Sequence, residues 1–332
     1  MTTIYKVAER AGVSLSTVSR VLNGRKTVNE ALRLKVEQAM KELDYRPNSL
    51  ARSLASNRSD SIGVVVSELS TPFFGEMLQS IETTLRECNK HVIITVGHND
   101  LAQEKEAVEF LISRNCDALI LQVGALDDAY IQELNQNRLP VSLVNRCVEG
   151  LEEACFTLDN ETGGYLCTKH LLEQGHTEIA YISGPSDKTD AMQRFKGHKR
   201  ALEEAGITFS EALYYEGSYQ EEDGEAGLIH LLESNKHFTA LVCGNDWMAS
   251  GAIRCARARG IQVPQALSVV GFDNIVVARH VFPTLTTINH PIADMGKMAA
   301  KYVINKVYSG ENMIQNLFAP SLVIRDSCSS QR

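Results

Sequence analysis

The spacing of apolar and polar positions along the chain changes near residue 60. Before that point apolar residues recur every three or four positions, which is the spacing of one face of a short helix. After it, short apolar runs alternate with longer amphipathic stretches, which is the pattern of buried parallel strands connected by helices. The pattern therefore predicts a small helical head followed by a large α/β body.

The head is predicted to contain three short helices. The first ends at Gly12, the second is capped by Ser14 and runs to about Asn23 before Gly24, and the third is capped by Asn29. Their apolar stripes are, in order, Ile4, Val7, Ala8 and Ala11; Thr17, Val18, Val21 and Leu22; and Leu32, Val36, Ala39 and Leu43.

The second predicted helix carries the most informative outer side. At 100° per residue that side presents an apolar group, two hydroxyls, a guanidinium and an amide, from Leu15, Ser16, Ser19, Arg20 and Asn23. Such groups suit the base edges of a major groove, and the tight turn at 12–13 would complete a helix-turn-helix. A helical bundle with an ordinary polar face is the alternative that the pattern alone leaves open.

The body is predicted to form two doubly wound lobes with a ligand between them, near the carboxyl ends of the strands. The predicted strands are Ile62–Val66, His91–Val96, Asp117–Leu121, Val141–Val144, Ile179–Ile182, Leu213–Tyr215, Ala240–Val242 and Leu267–Gly271. The predicted helices of the first half are Phe74–Cys88, Gln103–Arg114 and about Asp127–Gln136.

Charge is distributed unevenly along the chain. The 332 residues carry a net charge of −8, yet residues 1–60 contain 11 Lys and Arg against 6 Asp and Glu. The remaining residues contain 22 basic and 35 acidic side chains. A basic head can bind phosphates while an acidic body stays in solution, although a merely solvated basic face would give the same balance.

Several classes of protein are disfavoured. The first residues contain no apolar signal-peptide core, and no stretch approaches the ~20 apolar residues of a membrane helix. The eight cysteines are scattered without a C-x-x-C pair, which favours reduced thiols and a cytoplasmic protein without a metal site. No Walker A loop, G-x-G-x-x-G after the first strand or G-x-S-x-G elbow is present, so we expect neither an enzyme nor a cofactor.

The head resembles the LacI/GalR family of bacterial repressors, through Val7–Asn23 (VAERAGVSLSTVSRVLN) and a hinge-like segment, Leu43–Leu54 (LDYRPNSLARSL). The resemblance implies a helix-turn-helix domain over 1–46, a hinge helix and linker over 47–60, and an effector-binding and dimerisation domain over 61–332. It also implies that the hinge orders on DNA, where Leu54 enters the minor groove. The DNA-binding residues expected on this basis are Thr3, Ser14, Leu15, Ser16, Thr17, Ser19, Arg20, Asn23, Asn48 and Leu54.

The resemblance extends over the body, whose implied fold is that of periplasmic sugar-binding proteins with a C-terminal segment returning to the first lobe. It is carried by Asn245–Ala252, Val263–Asn274 and Pro283–Ile288, and the similarity to galactose-type repressors by Ser70–Gly75, Val144–Arg146, Asp190–Arg194 and Val276–His280. The implied effector residues are Phe73 and Tyr219 as rings, Asn145, Asn245, Arg194 and Asp273 as polar contacts, and Gln122 and His290 as further candidates.

Some of these residues have simpler explanations. Asn245 or Asp246 can cap the following helix, and Asp273 can be a turn residue at the end of a strand. Lys188 departs from the arginine-like pattern of purine repressors, which disfavours a nucleobase effector. The resemblance thus implies a homodimeric repressor that binds double-stranded operator DNA and is released by a monosaccharide such as galactose. An activator remains the alternative.

Overall fold

The computed structural model describes residues 3–22, 28–45, 58–137 and 139–331. The chain divides into two compact units, Met1–Asp60 and Ser61–Arg332.

The first unit contains three helices, as predicted, and they are α1 (Ile4–Ala11), α2 (Leu15–Leu22) and α3 (Glu30–Glu42). Gly12 ends α1 with φ of 66°, a left-handed conformation that favours glycine. The Ser14 hydroxyl accepts the Thr17 amide at 3.2 Å, and the Asn29 side chain accepts the Ala31 amide at 2.9 Å. Both predicted caps are therefore confirmed.

Each of the three helices contributes one stripe to a small apolar core, whose buried members are Val7, Ala8, Val18, Val36 and Ala39. The prediction that Leu32 belongs to this core is wrong, because the residue is 37% exposed. Leu32 lies in the first turn of α3, and helical spacing alone does not decide whether such a residue is buried.

The second unit contains two lobes of similar design. The sheet of the first lobe has the order β11-β5-β4-β3-β1-β2, and each of its strand pairs is parallel. Its strands are β1 (Ser61–Val66), β2 (His91–Val96), β3 (Ala118–Leu121), β4 (Val141–Val144), β5 (Cys155–Leu158) and β11 (Leu317–Phe318). Its helices are α4 (Pro72–Glu87), α5 (Leu101–Ser113), α6 (Asp128–Asn137) and α12 (Ile292–Tyr308).

The sheet of the second lobe repeats this design with the order β12-β10-β9-β8-β6-β7, and only the β10–β12 pair is antiparallel among its described strands. Its strands are β6 (Ile179–Ser183), β7 (Tyr214–Glu216), β8 (Ala240–Cys243), β9 (Ser268–Asp273), β10 (Thr286–Asn289) and β12 (Ser321–Val323). Its helices are α7 (Asn160–Glu173), α8 (Thr189–Glu204), α9 (Glu221–Glu233), α10 (Asp246–Ala258) and α11 (Val277–His280).

The chain passes between the lobes three times. It enters the second lobe after β5, returns after β10 to form α12 and β11, and crosses again to add β12. One apolar cluster is continuous from Ile62 and Met77 of the first lobe to Tyr181 and Phe272 of the second. Residues of both lobes therefore share one apolar core.

Candidate functional site

The outer side of α2 is accessible within the first unit. Leu15 is 38% exposed, Ser16 and Arg20 are exposed, and Ser19 is half-buried. By contrast Val18 is fully buried on the opposite side, so the helix presents one apolar face and one polar face. The exposed face carries the hydroxyl, guanidinium and apolar groups that can contact base edges.

The other residues predicted to bind DNA lie at the starts of α1 and α2 or outside the part of the chain that the structure describes. The Ser14 hydroxyl lies 2.9 Å from the hydroxyls of both Ser16 and Thr17, which orders the start of α2. Thr3 precedes α1 and is exposed, without a hydrogen bond from its side chain to the helix start. Asn23, Asn48 and Leu54 lie outside the described residues.

A cavity of about 870 Å³ lies between the lobes of the body, beside the carboxyl ends of the parallel strands. Residues that follow β1, β3 and β4 approach it from one lobe, and residues that follow β7, β8 and β9 approach it from the other. The volume falls within the range of about 300–1,000 Å³ that is usual for small-molecule sites. Seven of the eight effector residues predicted from sequence line it: Phe73, Gln122, Asn145, Arg194, Tyr219, Asn245 and Asp273.

Arg194 is the central charged group of the second-lobe side. It is 4% exposed, and its guanidinium donates to the Asn160 side chain at 2.9 Å and to the Gly244 carbonyl at 2.6 Å. The same group lies 3.8 Å from the centre of the Phe272 ring. Burial opposes the charge, but Tyr219 and the carboxylates of Asp273 and Asp190 outweigh it, so the pKa of Arg194 is raised. The guanidinium is thus a fixed, permanent donor.

A buried chain of polar groups connects the two lobes. Asp273 lies 3.6 Å from Arg194, and its Oδ1 lies 3.3 Å from His290 Nδ1. His290 Nε2 lies 3.1 Å from the Asn145 side-chain oxygen across the cleft. We name this arrangement the Asp273–His290–Asn145 chain. His290, the eighth predicted effector residue, is not among the cavity-lining residues and contacts two of them instead.

Two of the predicted hydrogen-bonding residues are engaged by the protein itself. Asn245 caps α10, because its oxygen accepts the Met248 amide at 2.9 Å, and its nitrogen donates to the Tyr219 carbonyl. The Gln122 oxygen accepts from both the amide and the hydroxyl of Ser67, each at 2.9 Å. These two residues shape the cavity wall, whatever their contact with a ligand.

Four buried polar atoms in cavity-lining residues have no hydrogen-bond partner among the described residues. They are Thr71 Oγ1, Arg146 Nη1, Tyr219 Oη and Trp247 Nε1. Buried polar groups are nearly always paired, so these atoms can hydrogen-bond to a ligand in the cavity. Sequence reasoning did not select Thr71, Arg146 or Trp247 as effector residues, although each lies within a motif that carries the family resemblance.

The cavity lining is predominantly acidic. Of the described side chains that line it, seven are carboxylates and three are cationic: Glu68, Asp128, Asp159, Glu161, Asp187, Asp190 and Asp273 against Arg146, Lys188 and Arg194. Several of these charges neutralise one another, since Arg146 contacts Asp128 at 2.6 Å. An excess of carboxylates disfavours phosphorylated or carboxylated ligands and favours neutral molecules rich in hydroxyl groups.

Among the described residues, no group of three or more His, Cys, Asp or Glu side chains is arranged to hold a metal ion. No described helix has the length and apolar character needed to cross a membrane.

Both units of the chain match known protein families. Residues 3–48 match the model of bacterial regulatory proteins of the lacI family, and residues 168–328 match a periplasmic binding protein-like domain. The HTH-type transcriptional regulator GalR of Escherichia coli (strain K12) is 38% identical over 331 residues, which cover 99% of this chain and 96% of GalR. The HTH-type transcriptional repressor PurR of Edwardsiella ictaluri (strain 93-146) is 34% identical over 333 residues, covering 98% and 97%.

Solved structures show the same fold. The lac repressor dimer bound to operator and the anti-inducer ONPF has a TM-score of 0.87 at 29% identity, and the match covers 99% of each chain. A complex of the transcriptional regulator CelR with cellobiose has a TM-score of 0.73 at 30% identity, covering 98% of this chain and all of the other.

Proposed function

The chain belongs to the lacI family of bacterial regulatory proteins, and we propose that it represses transcription from an operator until a neutral sugar binds between its lobes. DNA binding by the helix-turn-helix head and the absence of an enzymatic role follow from the family. The identity of the sugar and the residues that contact DNA and sugar are our proposals, as are the domain limits 1–46, 47–60 and 61–332. We also propose that the protein works in the cytoplasm.

The proposed DNA contact is made by two copies of α2. GalR and the lac repressor are relatives along nearly the whole chain, and the latter is a dimer on its operator. We therefore propose a homodimer on a near-palindromic site, with Leu15, Ser16, Ser19 and Arg20 in the major groove. In the same proposal Asn48 and Leu54 belong to the hinge, and Leu54 enters the minor groove between the half-sites.

Galactose is the proposed effector. The observation that carries this proposal is the geometry of Arg194 beside Asp273, a fixed donor next to an acceptor in a cavity with aromatic walls. Such pairs bind vicinal hydroxyl groups, while Phe73 and Tyr219 can cover the apolar face of a sugar ring. GalR relatives support galactose in particular, and the cellobiose complex of CelR supports a larger glycoside as the second candidate.

The experiment tests DNA and sugar together. Selection from random duplexes should return a near-palindromic site, and binding to that site should be measured with galactose, cellobiose, galacturonate and galactose 1-phosphate. We expect galactose to weaken operator binding several-fold to a hundredfold, the usual range of allosteric coupling. The two anionic sugars should have little effect. A stronger response to cellobiose would select the second candidate. Failure of the selection to enrich any DNA site would contradict the proposed operator binding.

Asp273→Asn tests the site itself. Asp273 has φ of 108°, a conformation that asparagine tolerates better than alanine, so this substitution removes the charge with little added strain. We expect loss of the galactose response with operator affinity retained, as measured by fluorescence anisotropy. Glu211→Gln, at an exposed carboxylate outside the cavity, is the matched control. An unchanged galactose titration for Asp273→Asn would remove the residue from the site.

A further inference from the structure

We propose that His290 is a positioning residue that ties the two lobes together and thereby couples sugar occupancy to lobe arrangement, without touching the sugar. The inference rests on the proposed function and goes beyond it, because it identifies the residue that connects the two lobes and not the ligand that binds between them. It replaces the expectation that His290 contacts the effector.

The first argument is the position of the ring. The side chain of His290 is 1% exposed, and it lies behind the cavity lining rather than in it. Its two ring nitrogens contact Asp273 of the second lobe at 3.3 Å and Asn145 of the first lobe at 3.1 Å. Both partners line the cavity, so the ring can sense a ligand through them alone.

The second argument is the place of His290 along the chain. It directly follows β10 of the second lobe and precedes α12, which packs in the first lobe. Its amide donates to the Asp273 carbonyl at 3.3 Å, and the Phe73 ring of the first lobe lies 4.9 Å from its own. A rotation of the lobes about this crossover therefore moves the ring relative to Asn145.

Hydrogen-bonding capacity makes the connection specific. Burial lowers the pKa of His290 despite the adjacent Asp273 carboxylate, so the ring is neutral and carries one N–H. The carboxylate can only accept, which places the proton on Nδ1 and leaves Nε2 as an acceptor. A half-turn of the Asn145 amide then lets its nitrogen donate to Nε2. The His290–Asn145 hydrogen bond is thus the part of the chain that forms only while the lobes keep this arrangement.

A double-mutant cycle tests the connection. His290→Phe keeps a ring against Phe73 and removes both hydrogen bonds, and Asn145→Gly removes the amide at a position whose φ of 63° suits glycine. Galactose affinity is measured by titration calorimetry for the free full-length protein and for its operator complex, and the ratio of the two affinities is the coupling factor. We expect each single variant to reduce this factor by about fivefold, the fold-change equivalent to one neutral hydrogen bond. The double variant should show no further loss.

Two results would overturn the assignment. If His290 touched the sugar, both affinities would fall together and the coupling factor would stay constant. If the two residues acted separately, their effects would add in the double variant. His290→Gln, which offers a donor group and an acceptor group, should restore most of the coupling factor, whereas a purely steric role for the ring would leave the factor intact in His290→Phe and reduce it in His290→Gln.

A second measurement needs no sugar. Hydrogen exchange of the ligand-free full chain is followed by mass spectrometry in peptides that cover 141–147 and 286–291. We expect His290→Phe to accelerate exchange in both segments several-fold and the double variant to go no further; unchanged exchange contradicts the inference. Should the wild-type protein ignore galactose while these segments still loosen together, the proposed effector fails and the lobe connection stands.

Discussion

At the scale of single residues, the body buries the carboxyl group of Asp246 beside the ends of β8 and β9. Asp246, the first residue of α10, is fully buried, and its two oxygens accept from the Thr287 hydroxyl at 2.5 Å and the Ile275 amide at 2.9 Å. Burial, together with the nearby Asp273, nevertheless raises the pKa of Asp246 well above its usual range. The fold therefore makes ionisation of Asp246 less favourable than it is in the unfolded chain.

This raised pKa predicts a dependence of stability on pH. A carboxyl whose pKa is higher in the folded than in the unfolded state stabilises the fold only while protonated, so its contribution falls as pH rises from the unfolded pKa of about 3.9 to the folded pKa. Asp246→Asn cannot ionise, and we expect its unfolding free energy, measured in urea, to decline less than that of the wild type over that window. Parallel pH profiles for the two proteins would contradict the prediction.

Arg20 supplies the corresponding test in the head. If its guanidinium contacts a guanine, Arg20→Ala should cost about 1–3 kcal/mol on the operator and far less on random DNA. Lys35→Ala, at an exposed basic residue of α3, is the control. Binding isotherms on both duplexes separate the cases, and equal losses on the two DNAs for Arg20→Ala would reduce Arg20 to a phosphate contact.

At the scale of elements, the second lobe builds two tight helix pairs from glycines. A methyl group on Gly164 of α7 would overlap the Arg194 carbonyl of α8, and one on Gly251 of α10 would overlap the Glu221 carbonyl of α9. Backbones approach this closely only where the side chain is a hydrogen atom. The α7–α8 contact also fixes the start of the helix that carries Arg194 to the cavity.

A pair of glycine substitutions measures this packing. Gly251→Ala should destabilise the body by about 1–3 kcal/mol, because α9 or α10 must move to make room for the methyl group. Gly75→Ala, at a helical glycine with open space around it, should be neutral or stabilising by up to about 1 kcal/mol. Urea unfolding of both variants gives the comparison, and equal effects would show that α9 and α10 separate without cost.

The strands also show which elements the sequence pattern predicts correctly and which it misses. The bounds of β2 and β4 were predicted as the structure has them, because short and mainly apolar runs identify parallel strands. Strand β10 was missed because Thr286 and Thr287 look polar, although both are fully buried with their hydroxyls bonded. Strand β11 has two residues, too few for any periodicity.

The cavity was predictable in part, for a related reason. Strand ends point to one edge of a sheet, so the pattern predicted a cleft, and the family resemblance selected seven of its lining residues. The sequence pattern does not predict the unpaired atoms of Thr71 and Trp247. It also does not predict that His290 lies behind the cavity lining. These depend on side-chain directions that only the packed structure defines.

At the scale of the whole molecule, a calorimetric prediction follows from the division at Ser61. Sugar that binds only the folded body stabilises it by about 2.7 kcal/mol at one hundred times the dissociation constant. We expect saturating galactose to raise the unfolding temperature of the body while the transition of the first unit stays in place. Asp273→Asn should abolish the shift. A shift of both transitions together would show that the units unfold as one.

The strand order has a consequence for synthesis on the ribosome. The first unit is continuous in sequence, so it can fold as soon as it emerges. Each sheet of the body, by contrast, receives its outermost strand from residues 317–323, near the end of the chain. Neither lobe can complete its hydrogen-bonded edge until residues 317–323 have emerged, and the DNA-binding unit can therefore form before the body is complete.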